Sequence, residues 1–439
     1  MTLRKQRRGR SEAAPLEART ELLGWGPKGT TTAEIDGRRV VVDRGIPGEL
    51  VDVKVERSRE PWRGNVFHVE TPSFQRVSPP CPHFEQGCGG CQWQHVSYAK
   101  QLNVKRASVN REMEACGVDL RVEQVHAMVD PWRYRHTAAI AIGWEAGFHP
   151  RGRRGIIEVR DCPISHALIG SFADELNDLL RAGGLPNYHG KVWLDCTVVG
   201  PAISASLQVL IQGIPGLTEE LNPELPDAAL AIAGLSHVET VAFRHRSGTA
   251  RALVGPLINE IEVGDYTFLL PAGSFFQTNV RMLPVLYARL REIVREKPAE
   301  RVADIYGGVG TLGLPMAGDV GELTLVELDP MAADAAQQTA RRWGLSNVTV
   351  VAKHAERALR NLPLDLAIVD PPRSGLPASV IEALSGNGVP SIIYLSCAPA
   401  SLARDVAAFG DAGYRLLSLD MFDFYPQTYH VECLAVLGR

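Results

Sequence analysis

Between Gly24 and about Phe74, apolar and polar residues alternate in short segments, TTAEIDG, RRVVVDRG, LVDVKVERS and GNVFHVE, separated by Gly and Pro. A strand turns successive side chains to opposite faces, so period-two alternation buries one face and wets the other. Several such runs at short spacing predict a small all-β barrel over residues 15–75. Residues 95–116 switch to helical spacing, with Val96, Leu102, Val109 and Met113 separated by charged positions. From 120 to 255 the chain reads as mixed strand and loop, with a Gly/Arg-rich turn at 151–155. After Gly273, apolar runs (RVADIY, LTLVEL, VTVVA, LAIVD and SIIYLS) alternate with helical segments. That alternation predicts a parallel α/β sheet.

Composition narrows the class. At roughly 100–200 residues per domain, 439 residues make room for two to four domains. No apolar run approaches the ~18–20 residues of a membrane span. The basic start MTLRKQRRGR has no apolar stretch behind it, as an export signal would. The chain is therefore expected in the cytoplasm, with no membrane partner. A net charge of −4 argues against a uniformly basic nucleic-acid binder. The charge is uneven, however: residues 1–80 hold 15 Lys/Arg against 11 Asp/Glu, a net of +4, which leaves −8 for the rest. Residues 1–14 read as a basic disordered arm. Such an arm either contacts a phosphate backbone in a salt-dependent way or is a solvated tail, and the sequence leaves both open.

Candidate chemistry lies at the ends of the predicted strands. RVADIY runs into Asp304-Ile-Tyr-Gly-Gly-Val-Gly310-Thr311, with a helix expected after it. Glycines behind a strand let the backbone approach a nucleotide-like ligand. The next strand ends at Glu327, 17 residues beyond Gly310, where an acid can accept hydrogen bonds from both ribose hydroxyls. The ligand is a dinucleotide or S-adenosylmethionine, and the D-x-Y-G-G-V-G opening departs from the G-x-G-x-x-G of dinucleotide sites. LAIVD ends in Asp370-Pro371-Pro372-Arg373, at the carboxyl end of a parallel strand, where ligands bind in such sheets. Amine methyltransferases carry an aromatic residue where this chain has Arg373.

SIIYLS ends at Cys397. Most lone cysteines are small buried hydrophobes, and Cys116 and Cys196 are read that way. A thiol at a strand tip beside a donor cleft is instead a candidate nucleophile. Uracil C5 is too weakly nucleophilic to take a methyl group directly. Thiolate addition at C6 pushes electron density onto C5, and a base must then remove the C5 proton. Glu432, in Tyr429-His430-Val431-Glu432, is the candidate base, and His430 competes for the role. Four other cysteines, Cys81, Cys88, Cys91 and Cys162, are spaced C-x6-C-x2-C, then x70, then C. Four thiolates can hold zinc or an iron–sulfur cube, and spacing alone does not choose.

Taken together these stretches resemble the TrmA/RlmD-type RNA uracil-C5 methyltransferases, in their iron–sulfur-containing branch. The resemblance is carried by AGSFFQTN at 272–279, DIYGGVGTLGLPMA at 304–317, VDPPRSGL at 369–376, YLSCAPASLARD at 394–405, DMFDFYPQTYHVE at 420–432, CPHFEQGCGGCQWQH at 81–95 and DCPI at 161–164. It runs from about residue 24 to 437. It implies a Rossmann-like α/β S-adenosylmethionine-dependent methyltransferase domain at 261–439 and an OB-like, RNA-binding barrel of the TRAM type at 15–75. A mixed central domain at 76–260 would carry a helix at 95–120 that packs on the catalytic domain. The resemblance also implies that Cys397 is the nucleophile and Glu432 the base, and that Gln277, Tyr306, Thr311, Glu327, His354 and Asp370 line the S-adenosylmethionine site. Cys81, Cys88, Cys91 and Cys162 would hold a [4Fe–4S] cluster with a role in folding or RNA positioning, since methyl transfer moves no electrons. The target uridine would be flipped from its stack. The expected partner is structured RNA, 23S ribosomal RNA ahead of transfer RNA, and the enzyme is expected to be a monomer.

Two departures stand out: Gly307 where the family often has Cys, and Ala398 where it often has Asn. The second bears on how the uracil is held. Rival readings are an amine methyltransferase, an NAD enzyme and a catalytically inactive RNA-binding protein or chaperone. Retention of Cys397, Glu432 and Asp370 argues against the last.

Overall fold

The computed structural model of the protein describes residues 15–58, 60–186, 192–213, 224–244, 248–360 and 362–439. The basic arm expected at 1–14 lies outside the described residues. The chain divides into two compact units. The first holds residues up to Pro80 together with Cys91–Val104 and Gln427–Tyr429; the second holds Cys81–Gly90, Lys105–Pro426 and His430–Arg439.

In the first unit the alternating segments become strands Leu16–Glu21, Gly24–Trp25, Thr31–Ile35, Arg38–Asp43, Leu50–Glu56 and Trp62–Thr71, joined in one six-stranded sheet. Val51, Val53 and Val55 turn inward with Leu22, Ile35, Val40 and Val42, while the residues between them face out. The sheet curls back on itself: the Leu23 N–H donates to the Thr32 carbonyl at 2.8 Å just beyond the first strand. Glu49 is fully buried below it. Its carboxylate accepts from Arg76 Nε at 2.6 Å and from the Ile46 N–H at 2.8 Å, so the buried charge is compensated.

The second unit holds two larger sheets. One has seven strands, in the order Ile157–Glu158, Ala146–Phe148, Thr137–Ile142, Val192–Val199, Ser206–Gly213, Val238–Arg244 and Arg251–Val254. Helices Ala167–Arg181 and Leu225–Ala233 share its apolar core. The strand-and-loop expectation for 120–255 missed both helices. The first was legible, since Ile169, Phe172, Ala173 and Leu176 recur at i, i+3, i+4 and i+7 and all are buried.

The other sheet has eight strands, in the order Val348–Ala352, Glu322–Glu327, Arg301–Ile305, Leu366–Val369, Ser391–Ser396, Glu432–Gly438, Arg415–Phe422 and Gln124–His126. The first five are parallel, as the unbroken apolar runs predict. Glu432–Gly438 runs antiparallel to both its neighbours. The chain reverses its direction of travel across the sheet between Arg301–Ile305 and Leu366–Val369. Such a switch point opens a crevice at the carboxyl ends of the strands. The α-helix expected behind the glycine loop is replaced by a 3-10 turn, Leu314–Asp319. Gly307, Gly308, Gly310, Gly313 and Gly318 crowd this stretch, and each costs an α-helix about 1 kcal/mol relative to Ala.

Helix Tyr98–Ala115 forms as expected, but its inward face carries Gln101, Val104, Lys105, Val109 and Met113, with Leu102 only half-buried. Lys105 Nζ donates to Asp423 Oδ1 at 2.6 Å and to the Tyr425 carbonyl at 2.9 Å; neither side chain of the ion pair is exposed. Two polar residues on the inner face are what apolar periodicity overlooks. Cys196 is buried as read, whereas Cys116 is exposed, because the helix ends beside it at a turn. No helix among the described residues is long and apolar enough to cross a membrane.

Candidate active site

The crevice is built from strand ends. Tyr306 leaves Arg301–Ile305 with φ at 65°, an uncommon conformation for a residue with a side chain, and the glycine loop follows. The Glu327 carboxylate ties this loop to the next strand. It accepts the Gly308 N–H at 2.9 Å and the Leu328 and Asp329 N–H groups at 2.7 Å. Its orientation is therefore set by backbone. Below the loop Asp304 is fully buried and accepts the Gly313 N–H at 2.8 Å. A side chain on Gly313 would lie 2.6 Å from the same carboxylate oxygen, so the position requires glycine. Burial pushes the Asp304 carboxyl up to about 7.

Asp370 follows Leu366–Val369. Its Oδ2 accepts from Gln277 Nε2 at 3.2 Å. Burial, and then the neighbouring Asp304, push its carboxyl up to about 7. Gln277 is buried, and among the described residues neither its Oε1 nor Asp304 Oδ1 has a hydrogen-bond partner. These orphaned acceptors are costly in a folded protein unless a ligand meets them.

Cys397 lies one residue beyond Ser391–Ser396 and is half-buried. Burial pushes its thiol up to about 11, and Glu432 and Asp370 push the same way. Arg373 opposes them and hydrogen-bonds to the sulfur. Glu432 is buried at the start of Glu432–Gly438. Burial, then Asp370, hold it well above the carboxylate range, and Arg373 again opposes. Tyr425 is raised by burial and then by Glu432, Cys397 and Asp370. Its ring meets that of His430 edge-on at 5.8 Å. His430 is lowered to about 4 by burial and then by Arg373, Lys105 and Arg135. Burial thus favours the neutral imidazole, and of the two carboxylates that act on the Cys397 thiol Glu432 has the larger effect, ahead of Asp370.

Cys397, Glu432, Asp370 and Gln277 thus converge on one crevice, and Glu327 orders the loop beside it. Tyr306 is half-buried at the loop's start and is pushed up to about 12 by burial and then by Glu356. Thr311 is buried further along the loop. His354 is exposed, at the end of the outermost parallel strand. The sequence reading assigned no role to Asp304, Arg373 or Tyr425. Arg373 had a visible signal, since it breaks the aromatic position after Asp-Pro-Pro.

Of the four clustered cysteines, Cys81 and Cys91 are buried and Cys88 and Cys162 half-buried. In the second unit Cys162 and Cys81 both bear on the Cys88 thiol, which burial has already pushed up to about 11. Cys91 belongs to the first unit. Among the described residues no group of three or more His, Cys, Asp or Glu is arranged to hold a metal ion.

Comparison with known proteins finds one family. Residues 257–439 match the family described as tRNA (Uracil-5-)-methyltransferase. An RNA methyltransferase of Halalkalibacterium halodurans, itself uncharacterized, is 30% identical over 434 residues, covering 93% of this chain and 94% of that one. Another, from Clostridium tetani, is 28% identical and covers 95% of each chain. Among solved structures, the tRNA (uracil-54, C5)-methyltransferase of Pyrococcus abyssi, in complex with S-adenosyl-L-homocysteine, superposes with a TM-score of 0.72. It is 21% identical and covers 96% of this chain and 100% of its own.

Proposed function

The chain belongs to the tRNA (uracil-5-)-methyltransferase family of RNA methyltransferases, and from that premise we propose that it methylates uridine C5 in structured RNA through a covalent Cys397–C6 adduct. The observation that carries this reading is the convergence of the Cys397 thiol, buried Glu432, Asp370 and Arg373 at the carboxyl ends of the parallel strands. S-adenosyl-L-methionine supplies the methyl group as a cationic sulfonium. The crevice suits it, with an orphaned Gln277 oxygen and the Asp370 carboxyl ready for a polar, cationic ligand. Gln277, Tyr306, Thr311, Glu327, His354 and Asp370 are the residues assigned to hold it.

The chain's own groups do the rest. Arg373 stabilises the Cys397 thiolate, which adds to C6 of a flipped-out uracil. A C–S bond forms, and the C5=C6 electron pair moves toward O4 as an enolate. C5 then takes the methyl group as its bond to the donor sulfur breaks, and that bond's electron pair stays on the sulfur. Glu432, as carboxylate, accepts the C5 proton; the C5=C6 bond re-forms, the C6–S bond breaks and the thiolate is released. Burial makes Glu432 a strong base once ionised, which matches it to a carbon acid.

We assign residues 15–75 to a TRAM-type, OB-like RNA-binding barrel, 76–260 to a central domain and 261–439 to the methyltransferase domain, in a cytoplasmic monomer. Cys81, Cys88, Cys91 and Cys162 are assigned to a [4Fe–4S] cluster. Soft thiolates suit it, and Cys81 and Cys162 both act on the Cys88 thiol. A visible absorbance band after anaerobic purification, lost in Cys88→Ser, is the expected result; a colourless zinc protein overturns the assignment. The cysteine set supports 23S ribosomal RNA as substrate. Transfer RNA is the second reading, because the solved Pyrococcus abyssi relative is a tRNA enzyme. The test is transfer of labelled methyl from the donor to RNA from cells lacking the gene. Label as 5-methyluridine in 23S RNA is expected. Label only in transfer RNA moves the substrate assignment, and label in neither pool refutes the enzyme.

A further inference from the structure

One surface of the second unit has no part in the crevice. The turn after Thr137–Ile142 carries Trp144, whose surface is 78% exposed. The turn after Ala146–Phe148 carries Arg151, Arg153 and Arg154, the last two exposed. The two turns enclose a hollow of about 540 Å³ lined by Trp144, His149, Arg153 and Arg154, with Glu145 its acidic member. That volume lies in the range of small-ligand sites.

The second turn is built rather than loose. His149 Nδ1 lies 2.7 Å from the Gly155 carbonyl and its Nε2 lies 3.4 Å from Trp193 Nε1. One tautomer satisfies both: Nδ1–H donates to the carbonyl, and Nε2 accepts from the indole N–H. The turn is also laced to the cysteine loop. The Gly89 N–H donates to the His149 carbonyl at 3.0 Å, and the Arg151 N–H donates to the Gly87 carbonyl at 2.9 Å. A side chain at Gly89 would sit 2.9 Å from that His149 oxygen, so the second position of Cys88-Gly89-Gly90-Cys91 needs glycine for this contact.

We propose that this surface is a single-strand RNA platform, on which Trp144 stacks a base, Arg153 and Arg154 hold the backbone, and the Cys88 loop sets the turn. An exposed indole flanked by guanidiniums is the composition of single-strand sites, where a base stacks on the ring and phosphates pair with the cations. The platform rests on the RNA-methyltransferase reading and adds a binding surface to it.

The test uses the full chain and a fluorescein-labelled single-stranded oligoribonucleotide, titrated by anisotropy at several salt concentrations. Trp144→Ala should weaken binding about tenfold, the range of one lost base stack. Arg153→Glu/Arg154→Glu should weaken it further and reduce the slope of log K against log salt by about 1.4, or ~0.7 for each lost phosphate contact. Gly89→Val should reproduce part of the loss. Unchanged melting temperature and S-adenosylhomocysteine affinity would show that the Trp144 and Arg153/Arg154 variants fold. Variants that match a binding-competent, methylating wild type overturn the platform and leave the enzyme intact. A wild type that neither binds nor methylates RNA overturns both.

Discussion

The two walls of the crevice are built on opposite principles. On the glycine-loop side, the Glu327 carboxylate is met by three backbone N–H groups. On the Cys397 side, a thiol and buried Glu432 are both acted on by Asp370 and by Arg373, and burial pushes both toward their neutral forms. The first wall is preorganised by backbone dipoles before any ligand arrives. The second holds chemistry in reserve, since its groups become charged only when cationic or polar ligands offset their burial. Shape is therefore set by backbone on one side, and reactivity by the mutual electrostatics of buried side chains on the other.

This contrast can be broken at several points, from the largest effect to the smallest. Cys397→Ala should abolish methyl transfer while S-adenosylhomocysteine affinity, measured by calorimetry, stays within about twofold; turnover by the variant would remove the covalent mechanism. Arg373→Met should lower kcat/KM by about 10²–10³, the usual loss for one electrostatic donor in a site. It should also move the pH dependence of Cys397 alkylation, followed by peptide mass spectrometry, to higher pH. The sign follows from chemistry: alkylation needs thiolate, the thiol already sits near 11, and Arg373 is the cation that lowers it. An unmoved profile would mean that Arg373 does not govern the Cys397 thiol.

Gly313→Ala tests the other wall. Its added carbon must displace Asp304, leaving a buried carboxylate without its N–H donor, at about 2 kcal/mol of stability. Melting temperature and donor affinity should fall together, with alkylation of Cys397 little changed. A smaller effect comes from the Asp304 carboxyl. Its folded value of about 7 exceeds the ordinary 3.8, so the folded state binds the extra proton. Stability from this group is complete below about pH 4 and is lost as pH rises toward and through 7. Ligand-free Asp304→Asn should show a flatter melting temperature from pH 4 to 8 than the parent, and equal slopes would refute the assignment. Last, His354→Ala should change donor affinity less than threefold, since the imidazole is exposed and at the rim.

Much of this was legible along the chain. Period-two alternation marked Thr31–Ile35, Arg38–Asp43, Leu50–Glu56 and Trp62–Thr71, and unbroken apolar runs marked the five parallel strands. Motifs at strand ends named Cys397, Asp370 and Glu327 because a parallel sheet delivers its carboxyl ends to one edge. What was lost shares a physical cause. The helix face with Gln101 and Lys105 is polar yet buried, so a hydrophobic pattern overlooks it. The α-helix expected behind the glycine loop yields to glycines whose contacts with Asp304 and Leu325 no local rule anticipates.

The sequence by itself determined the strands of the barrel-like sheet, the five parallel strands, the candidate nucleophile and the glycines that a tight loop requires. These depend on local spacing and on the chemistry of single side chains. Only the tertiary structure decided that Arg373 faces Cys397 and Glu432, that Asp304 sits beside Asp370, and that Lys105 pairs with Asp423 across 318 residues. Protonation and reactivity depend on distances between groups remote in sequence and on the water excluded around them, and those exist only once the chain has folded.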